Sequence, residues 1–205
     1  MESIADLTLG KELFVSGMTQ ERERVAAAIE RVLEGRQVAL VSSGDAGIYG
    51  MAGLALEMLK EQGHHVPVHI VPGVTAACAA AARLGAPLML DFACISLSDL
   101  LTPWERIRRK LEAVAVGDLT LVLYNPRSRK RVTQLEEAAS ILRVHRPPTV
   151  PVGIVTSAST ENEECVVTTL QHFLDEPIGM RSVVIIGSSD TAVLDGWLVT
   201  RRGYS

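Results

Sequence analysis

Between Val38 and Met51 the chain reads VALVSSGDAGIYGM, an apolar run that breaks sharply into small residues before a helical pattern begins at Gly50. That order describes a strand delivering a glycine-containing loop to the start of a helix. Glycine lets backbone come close to a ligand, and free N–H groups at the loop and helix start can receive polar or anionic groups. In open α/β sheets such loops stand at the carboxyl edge, where ligands bind. Taken alone, the spacing favours an ordinary strand-to-helix turn. The segments further along decide between the two.

The same alternation continues on both sides of this loop. Thr19 to Glu34 predicts a helix capped by Thr19, with Glu21 and Glu23 in its first turns and Val25, Ile29, Val32 and Leu33 on one face. After the loop, Met51, Leu54, Ala55, Met58 and Leu59 repeat at helical spacing until Gly63. Val66 to Val71 predicts a buried strand, Pro72-Gly73 a turn, and Val74 to Leu84 an alanine-rich helix. A strand at Phe92 to Leu97 is followed by Thr102-Pro103-Trp104-Glu105, a capping box with proline at the first helical position, and a helix to Val116. Leu119 to Tyr124 predicts another strand, which empties into Asn125-Pro126-Arg127-Ser128 ahead of a helix over Lys130 to His145.

The last third reads as strands at Val152 to Val155, Cys165 to Thr169, Val183 to Ile186 and Trp197 to Thr200, with little helix between. The expected fold class is therefore α/β in two domains, residues 1–117 and 118–205, the second more mixed and part antiparallel.

At 205 residues the chain is long enough to bury a real core. A net charge of −4 creates no field that would recruit nucleic acid or an anionic membrane. No apolar run reaches membrane-spanning length, and the N-terminus is too acidic and amphipathic for a signal peptide. Cys78, Cys94 and Cys165 stand apart in apolar contexts without metal-ligand spacing, so they are expected as reduced core thiols in a cytoplasmic protein. His64 and His65 fall at a helix end, where imidazolium suits the dipole. Of two basic runs, Arg106, Arg108, Arg109 and Lys110 read as a solvated helix face. Arg127, Arg129, Lys130 and Arg131 instead follow a strand end.

Four segments carry a resemblance: Ser43-Gly44-Asp45-Ala46-Gly47-Ile48-Tyr49-Gly50, Pro72-Gly73-Val74-Thr75-Ala76-Ala77, Leu123-Tyr124-Asn125-Pro126-Arg127-Ser128 and Pro151-Val152-Gly153-Ile154-Val155. In this order they resemble the tetrapyrrole methylases, which use S-adenosylmethionine in corrinoid and sirohaem synthesis. Three narrower segments, Val15 to Glu21, Ile95 to Trp104 and Arg202 to Tyr204, look like the precorrin-3B C17-methyltransferases of cobalamin biosynthesis in particular.

The resemblance implies a cleft between two domains with S-adenosylmethionine folded inside it. It places cofactor contacts on Ser43, Gly44, Asp45, Ile48, Thr75 and Ala76, with Asn125 and Ala158 completing them. Asp45 has two readings at this stage: it meets the cofactor's ammonium or a hydroxyl, or it caps its own turn. A tetrapyrrole carries many carboxylates that arginine can pair with, so Arg127 is the expected substrate contact. No metal is expected. The implied reaction is methyl transfer to C17 of precorrin-3B or its cobalt form, cobalt-precorrin-3, coupled to ring contraction. Which side chain, if any, moves a proton is not read from the sequence; Tyr49, Tyr124 and Asp99 are candidates.

Some features depart from the family. The chain begins where the family's first strand and glycine-proline-glycine loop have already passed, which leads to the expectation of a sheet in need of cover, a homodimer, and low activity alone. Ala46 and Arg201 stand where proline is usual, Ser188 stands for asparagine, and Ser159-Thr160-Glu161 lacks a nearby arginine. The alternatives are a methylase of the same fold acting on another tetrapyrrole carbon or on RNA, and a non-catalytic chain that binds a tetrapyrrole or a partner.

Overall fold

Alternation along one short strand organises the larger part of the chain. The computed structural model describes residues 2–17, 19–129 and 131–204. In Thr120–Tyr124 (β3), Leu121 and Leu123 enter one core cluster while Val122 and Tyr124 enter another. Successive strand residues point to opposite faces, so a strand buried at every position must be covered on both sides. β3 lies in a five-stranded sheet with Phe92–Ser96 (β2), Pro151–Thr156 (β4), Glu164–Thr169 (β5) and Ser182–Ile186 (β6), in the order β2-β3-β6-β4-β5. β2 and β3 are parallel; β3–β6, β6–β4 and β4–β5 are antiparallel. This matches the expected mixed α/β class.

One face of that sheet is covered by the helices Trp104–Val116 (α4) and Thr133–His145 (α5), through Ile107, Leu111, Leu135, Ala138, Ala139 and Leu142. The other is covered by Ala76–Leu84 (α3), whose Ala77, Ala80, Ala81 and Leu84 meet Val122, Val155, Val183 and Ile185. Small alanine side chains bring this helix close to the strands, and Gly153 of β4 extends that closeness. A Cβ built on Gly153 would stand 2.6 Å from Leu84 Cδ2 and 3.0 Å from its Cγ. A smaller sheet joins Gly85–Ala86 (β1) in parallel to Trp197–Thr200 (β8), which pairs antiparallel with Thr191–Leu194 (β7).

All of this belongs to one compact unit, Ala76–Ser205; the other is Met1–Thr75. The expected boundary at 117/118 falls inside the larger unit, where β2 and β3 pair residue for residue across it. In the smaller unit, Glu21–Leu33 (α1) and Ala52–Glu61 (α2) pack through Val25, Ile29, Met58 and Leu59, with Leu40 and Val66 against them.

Four local expectations are corrected. The segments 38–42 and 66–71 form no ladder among the described residues, and a strand needs a hydrogen-bonded neighbour in register. Thr19 does not cap α1: it adopts φ 69°, its N–H donates to Glu21 Oε1 at 3.2 Å, and Gln20 is the capping residue. The box at Thr102 does not close either, since Pro103 itself occupies the cap of α4 and no side chain bonds there. The cysteines are free thiols but not core residues: Cys78 and Cys165 are exposed and Cys94 half-buried. Cys78 sits off the Ala77–Ala80–Ala81–Leu84 stripe of α3, and Cys165 lies on the edge strand β5. Met18 of the Val15–Glu21 segment and Lys130 of the second basic run lie outside the described residues.

Candidate functional site

Asp45 joins the two glycine-bearing segments of the smaller unit. Its Oδ1 accepts the Gly47 N–H at 2.8 Å, and its Oδ2 accepts the Gly73 N–H at 2.9 Å, 28 residues away. Gly73 must be glycine for that approach. A Cβ there would lie 3.1 Å from the Gly44 carbonyl carbon and closer still to its oxygen. Gly44 holds φ 76°, a conformation that side-chain-bearing residues rarely adopt. Ser43 and Ile48 are exposed beside this junction, and Thr75 is buried where the second segment ends. Arg24 of α1 ties in the Val15–Glu21 segment through Ser16 Oγ at 2.9 Å and the Ser16 and Gly17 carbonyls, and reaches Met51 Sδ at 3.2 Å.

The turn-capping reading of Asp45 holds, and a second contact joins it. It closes its own turn through Gly47 and also clamps the Pro72-Gly73 segment. The backbone N–H of Gly73, then that of Gly47, holds its pKa below the ordinary carboxylate range. A depressed carboxylate stabilises the fold above its unfolded value, and that contribution is lost as pH falls through the folded value. Asp45→Asn is thus expected to melt below the wild type near neutral pH. The gap should close on acidification through the carboxylate range, as thermal melts at stepped pH would record. A gap unchanged at low pH would mean that charge plays no part in the clamp.

In the larger unit, the second group of expected residues collects at one sheet edge. β3 and β4 are each antiparallel to β6 and so run the same way as one another, and β2 is parallel to β3. Their carboxyl ends share an edge, with Ser96 opposite Tyr124 and Thr156 opposite Ser182. Asn125 follows β3 at φ 50°; its Nδ2 donates to Ser96 Oγ at 3.0 Å and its carbonyl accepts from Arg131 Nη2 at 2.7 Å. Tyr124 Oη accepts the Ala77 N–H near the start of α3 at 2.8 Å, one residue beyond Ala76. Ala158 follows β4 between Ser157 at φ 53° and Ser159 at φ 63°.

Seven non-glycine residues among those described have positive φ, and Tyr49, Asn125, Ser157 and Ser159 lie in or beside the expected site segments. Such conformations persist where surrounding structure enforces them, and they collect at functional sites. Asn is a residue for which sequence gives a signal of this kind; Tyr and Ser carry none. Ser157 Oγ is also buried without a hydrogen-bond partner. Of the remaining candidates, Asp99 Oδ2 accepts from Gln134 Nε2 at 2.8 Å, and Arg127 Nη2 pairs with Glu136 Oε1 at 3.2 Å. The first basic run behaves as a solvated face: Arg108 stands near Glu105, Glu112 and Glu137 at 3.5–3.9 Å.

The opposite edge carries a shallow cavity of about 400 Å³ lined by Arg143, Arg146, Pro148 and Gln171, with none of the expected residues. Both guanidiniums there serve the backbone: Arg146 donates to the carbonyls of Gly187, Leu119 and Val114, and Arg143 to those of Leu170 and Gln171. The cavity therefore marks a structural junction, and the loop geometry at the carboxyl edge is the better guide to ligand binding.

Residues 6–174 match the family model of tetrapyrrole (corrin/porphyrin) methylases. A probable cobalt-factor III C(17)-methyltransferase of Salmonella typhimurium is 49% identical over 95% of this chain and 81% of its own. A cobalt-factor III methyltransferase of Priestia megaterium is 43% identical over the whole chain, which spans only 38% of that protein's length. The crystal structure of the methyltransferase CobJ superposes with a TM-score of 0.86 at 35% identity, covering 94% of this chain and 82% of the other. With a family model spanning both the Asp45 clamp and the Asn125 edge, the chain belongs to the tetrapyrrole (corrin/porphyrin) methylases.

Proposed function

We propose that this chain transfers a methyl group from S-adenosylmethionine to C17 of a tetrapyrrole of the precorrin-3B or cobalt-factor III type, with ring contraction, in cobalamin biosynthesis. The observation that carries this reading is the 49% identity to the Salmonella protein over 81% of that protein's length. The clamp and the strained carboxyl-edge loops add a physical reason why those segments suit a ligand.

The residues present suit the cofactor. Gly44 and Gly73 are both exposed and carry no side chain, so main-chain groups there can stand open to a ligand, and their close approach leaves no room for a Cβ on Gly73. Ser43, Gly44 and Ile48 would offer backbone and small polar contacts, with Thr75 and Ala76 beside them. Asp45 keeps lone pairs beyond the two it gives to Gly47 and Gly73, enough to receive an ammonium or hydroxyl. Asn125 and Ala158 would contribute from the carboxyl edge, the Asn125 side chain already oriented by Ser96. S-adenosylmethionine supplies an electrophilic methyl whose leaving group departs neutral, so positioning can provide much of the acceleration and no metal is needed. Tyr124 Oη is oriented by the Ala77 N–H and Asp99 by Gln134, which leaves the proton-moving group unassigned. The test is incubation of the purified chain with S-adenosylmethionine and cobalt-factor III, read by mass as the gain of one methyl. No methylated product, with cofactor bound, would point to another tetrapyrrole.

Arg127 is the proposed substrate contact. Its engagement with Glu136 means that a substrate carboxylate must compete for it, so its contribution should lie at the low end of the usual 1.5–3 kcal/mol for a charged hydrogen bond, roughly 1.5 kcal/mol. Arg127→Ala should accordingly weaken tetrapyrrole binding about tenfold and leave S-adenosylhomocysteine affinity unchanged in paired titrations. Equal losses for both ligands would make it a structural residue.

A cytoplasmic homodimer completes the reading. Three free thiols suit a reducing compartment, and no helix among the described residues is long and apolar enough to cross a membrane. The exposed Val68, Ile70, Val71 and Val74 offer apolar surface for self-association, which sedimentation would test.

A further inference from the structure

Arg131 and Arg127 follow the same strand but stand in different electrostatic states. Arg127 already has the carboxylate of Glu136. Arg131 is only 9% exposed, and no carboxylate among the described residues pairs with it. Its Nη2 donates to the Asn125 carbonyl at 2.7 Å and lies 3.6 Å from Met180 Sδ, while its Nε is buried without a partner. The backbone fixes where this side chain begins. Ser128 N–H donates to the Arg131 carbonyl at 2.9 Å, and Arg131 N–H donates to Ser128 Oγ at 3.0 Å. A buried guanidinium is costly unless an anion compensates it, and a carbonyl with a thioether leaves the full charge in place. This charge sits at the carboxyl edge of the sheet, beside Asn125 and on the same edge as Ala158.

We propose that Arg131 binds a side-chain carboxylate of the tetrapyrrole substrate. The inference rests on the reading of this chain as a tetrapyrrole methyltransferase and adds to it the residue that recognises the substrate's charge. Guanidinium suits the role because its planar fork can hold the Asn125 carbonyl with one arm and meet a carboxylate with the other donors. Fixing Asn125 and receiving the substrate would then fall to a single side chain. Burial also weakens screening by salt, so the pair would act more strongly than one on an open surface.

The test compares Arg131→Met, which keeps the apolar stem and removes the charge, with Arg131→Lys, which keeps the charge. Cobalt-factor III and S-adenosylhomocysteine are titrated separately into each protein at low and high salt. Arg131→Met should bind cobalt-factor III at least about tenfold more weakly, and Arg131→Lys should recover most of that loss. S-adenosylhomocysteine affinity should fall by much less than cobalt-factor III affinity, because Ser96 still holds Asn125. Because the pair would be buried, added salt should weaken cobalt-factor III binding by the wild type and by Arg131→Met to a similar extent. Should the methionine variant fail to fold, Arg131→Gln replaces it under the same criteria. Unchanged cobalt-factor III affinity, or lysine no better than methionine, would overturn the proposal. Equal weakening of both ligands would overturn it as well, by reducing Arg131 to a support for Asn125. Wild type that binds no cobalt-factor III would overturn the functional reading along with it, whereas wild-type binding untouched by the variants defeats this inference alone.

Discussion

Gly73→Ala is expected to abolish measurable binding of S-adenosylhomocysteine, although it adds a single methyl group. The added Cβ would stand 3.1 Å from the Gly44 carbonyl carbon and nearer to its oxygen, and both are main-chain atoms that no rotamer change can move. Relief requires the two segments to separate, which breaks the Asp45–Gly73 hydrogen bond and moves the backbone proposed to face the cofactor. Gly44→Val should have the same outcome for a different reason. Space exists at Gly44, whose nearest contact to a new Cβ is 3.9 Å, but φ 76° is a severe outlier for a β-branched residue. Calorimetry, with circular dichroism to verify the fold, decides both. Wild-type affinity in either folded variant would remove these loops from the cofactor site.

Gly153→Val is expected to produce the largest loss of stability in the Ala76–Ser205 unit. Its Cβ alone would overlap Leu84, a side chain only 1% exposed and enclosed by Ala77, Ala80 and Val155, and valine adds two further methyl groups. Overpacking of this kind typically costs about 1–3 kcal/mol, and this position belongs at or above the upper end because helix α3 and strand β4 would have to part. Leu84→Ala alone should cost about 2–5 kcal/mol by leaving a cavity. The double variant should be more stable than the sum of the two, since each change relieves the other; urea unfolding of the four proteins measures that coupling. Strict additivity would show that the two residues do not share one packing site.

The Gly153 result bears on how close α3 lies to the sheet, and the Gly73 result on how the two loops meet. Neither distance is written in a local pattern. The helices are written there: Glu21–Leu33 and Trp104–Val116 fall within two residues of the segments that period and charge indicate, and the strands at 92–96, 120–124, 151–156 and 182–186 do as well. Apolar periodicity marks which side of an element is buried, and a chain carries that information residue by residue. The glycines at 44 and 47 are equally visible as places where backbone can come close, whereas Pro72-Gly73 reads locally only as a turn.

Pairing is different, because it belongs to two segments at once. The runs at 38–42 and 66–71 have every local mark of buried strands and form no ladder among the described residues, while Gly85–Ala86, with none, pairs with β8. Asp45 Oδ2 finds Gly73 across 28 residues, Tyr124 finds the Ala77 N–H across 47, and among the described residues Arg131 has no carboxylate while Arg127 finds one. Positive φ at Tyr49, Ser157 and Ser159 likewise comes from surroundings that hold residues where their own preferences would not. The sequence alone thus determined the helices, most of the strands and their buried faces, because those rest on local chemistry and spacing, and its motifs carried the resemblance to the family. Only the tertiary structure decided which donors meet which acceptors at the site, because those partners are set by long-range closure of the chain.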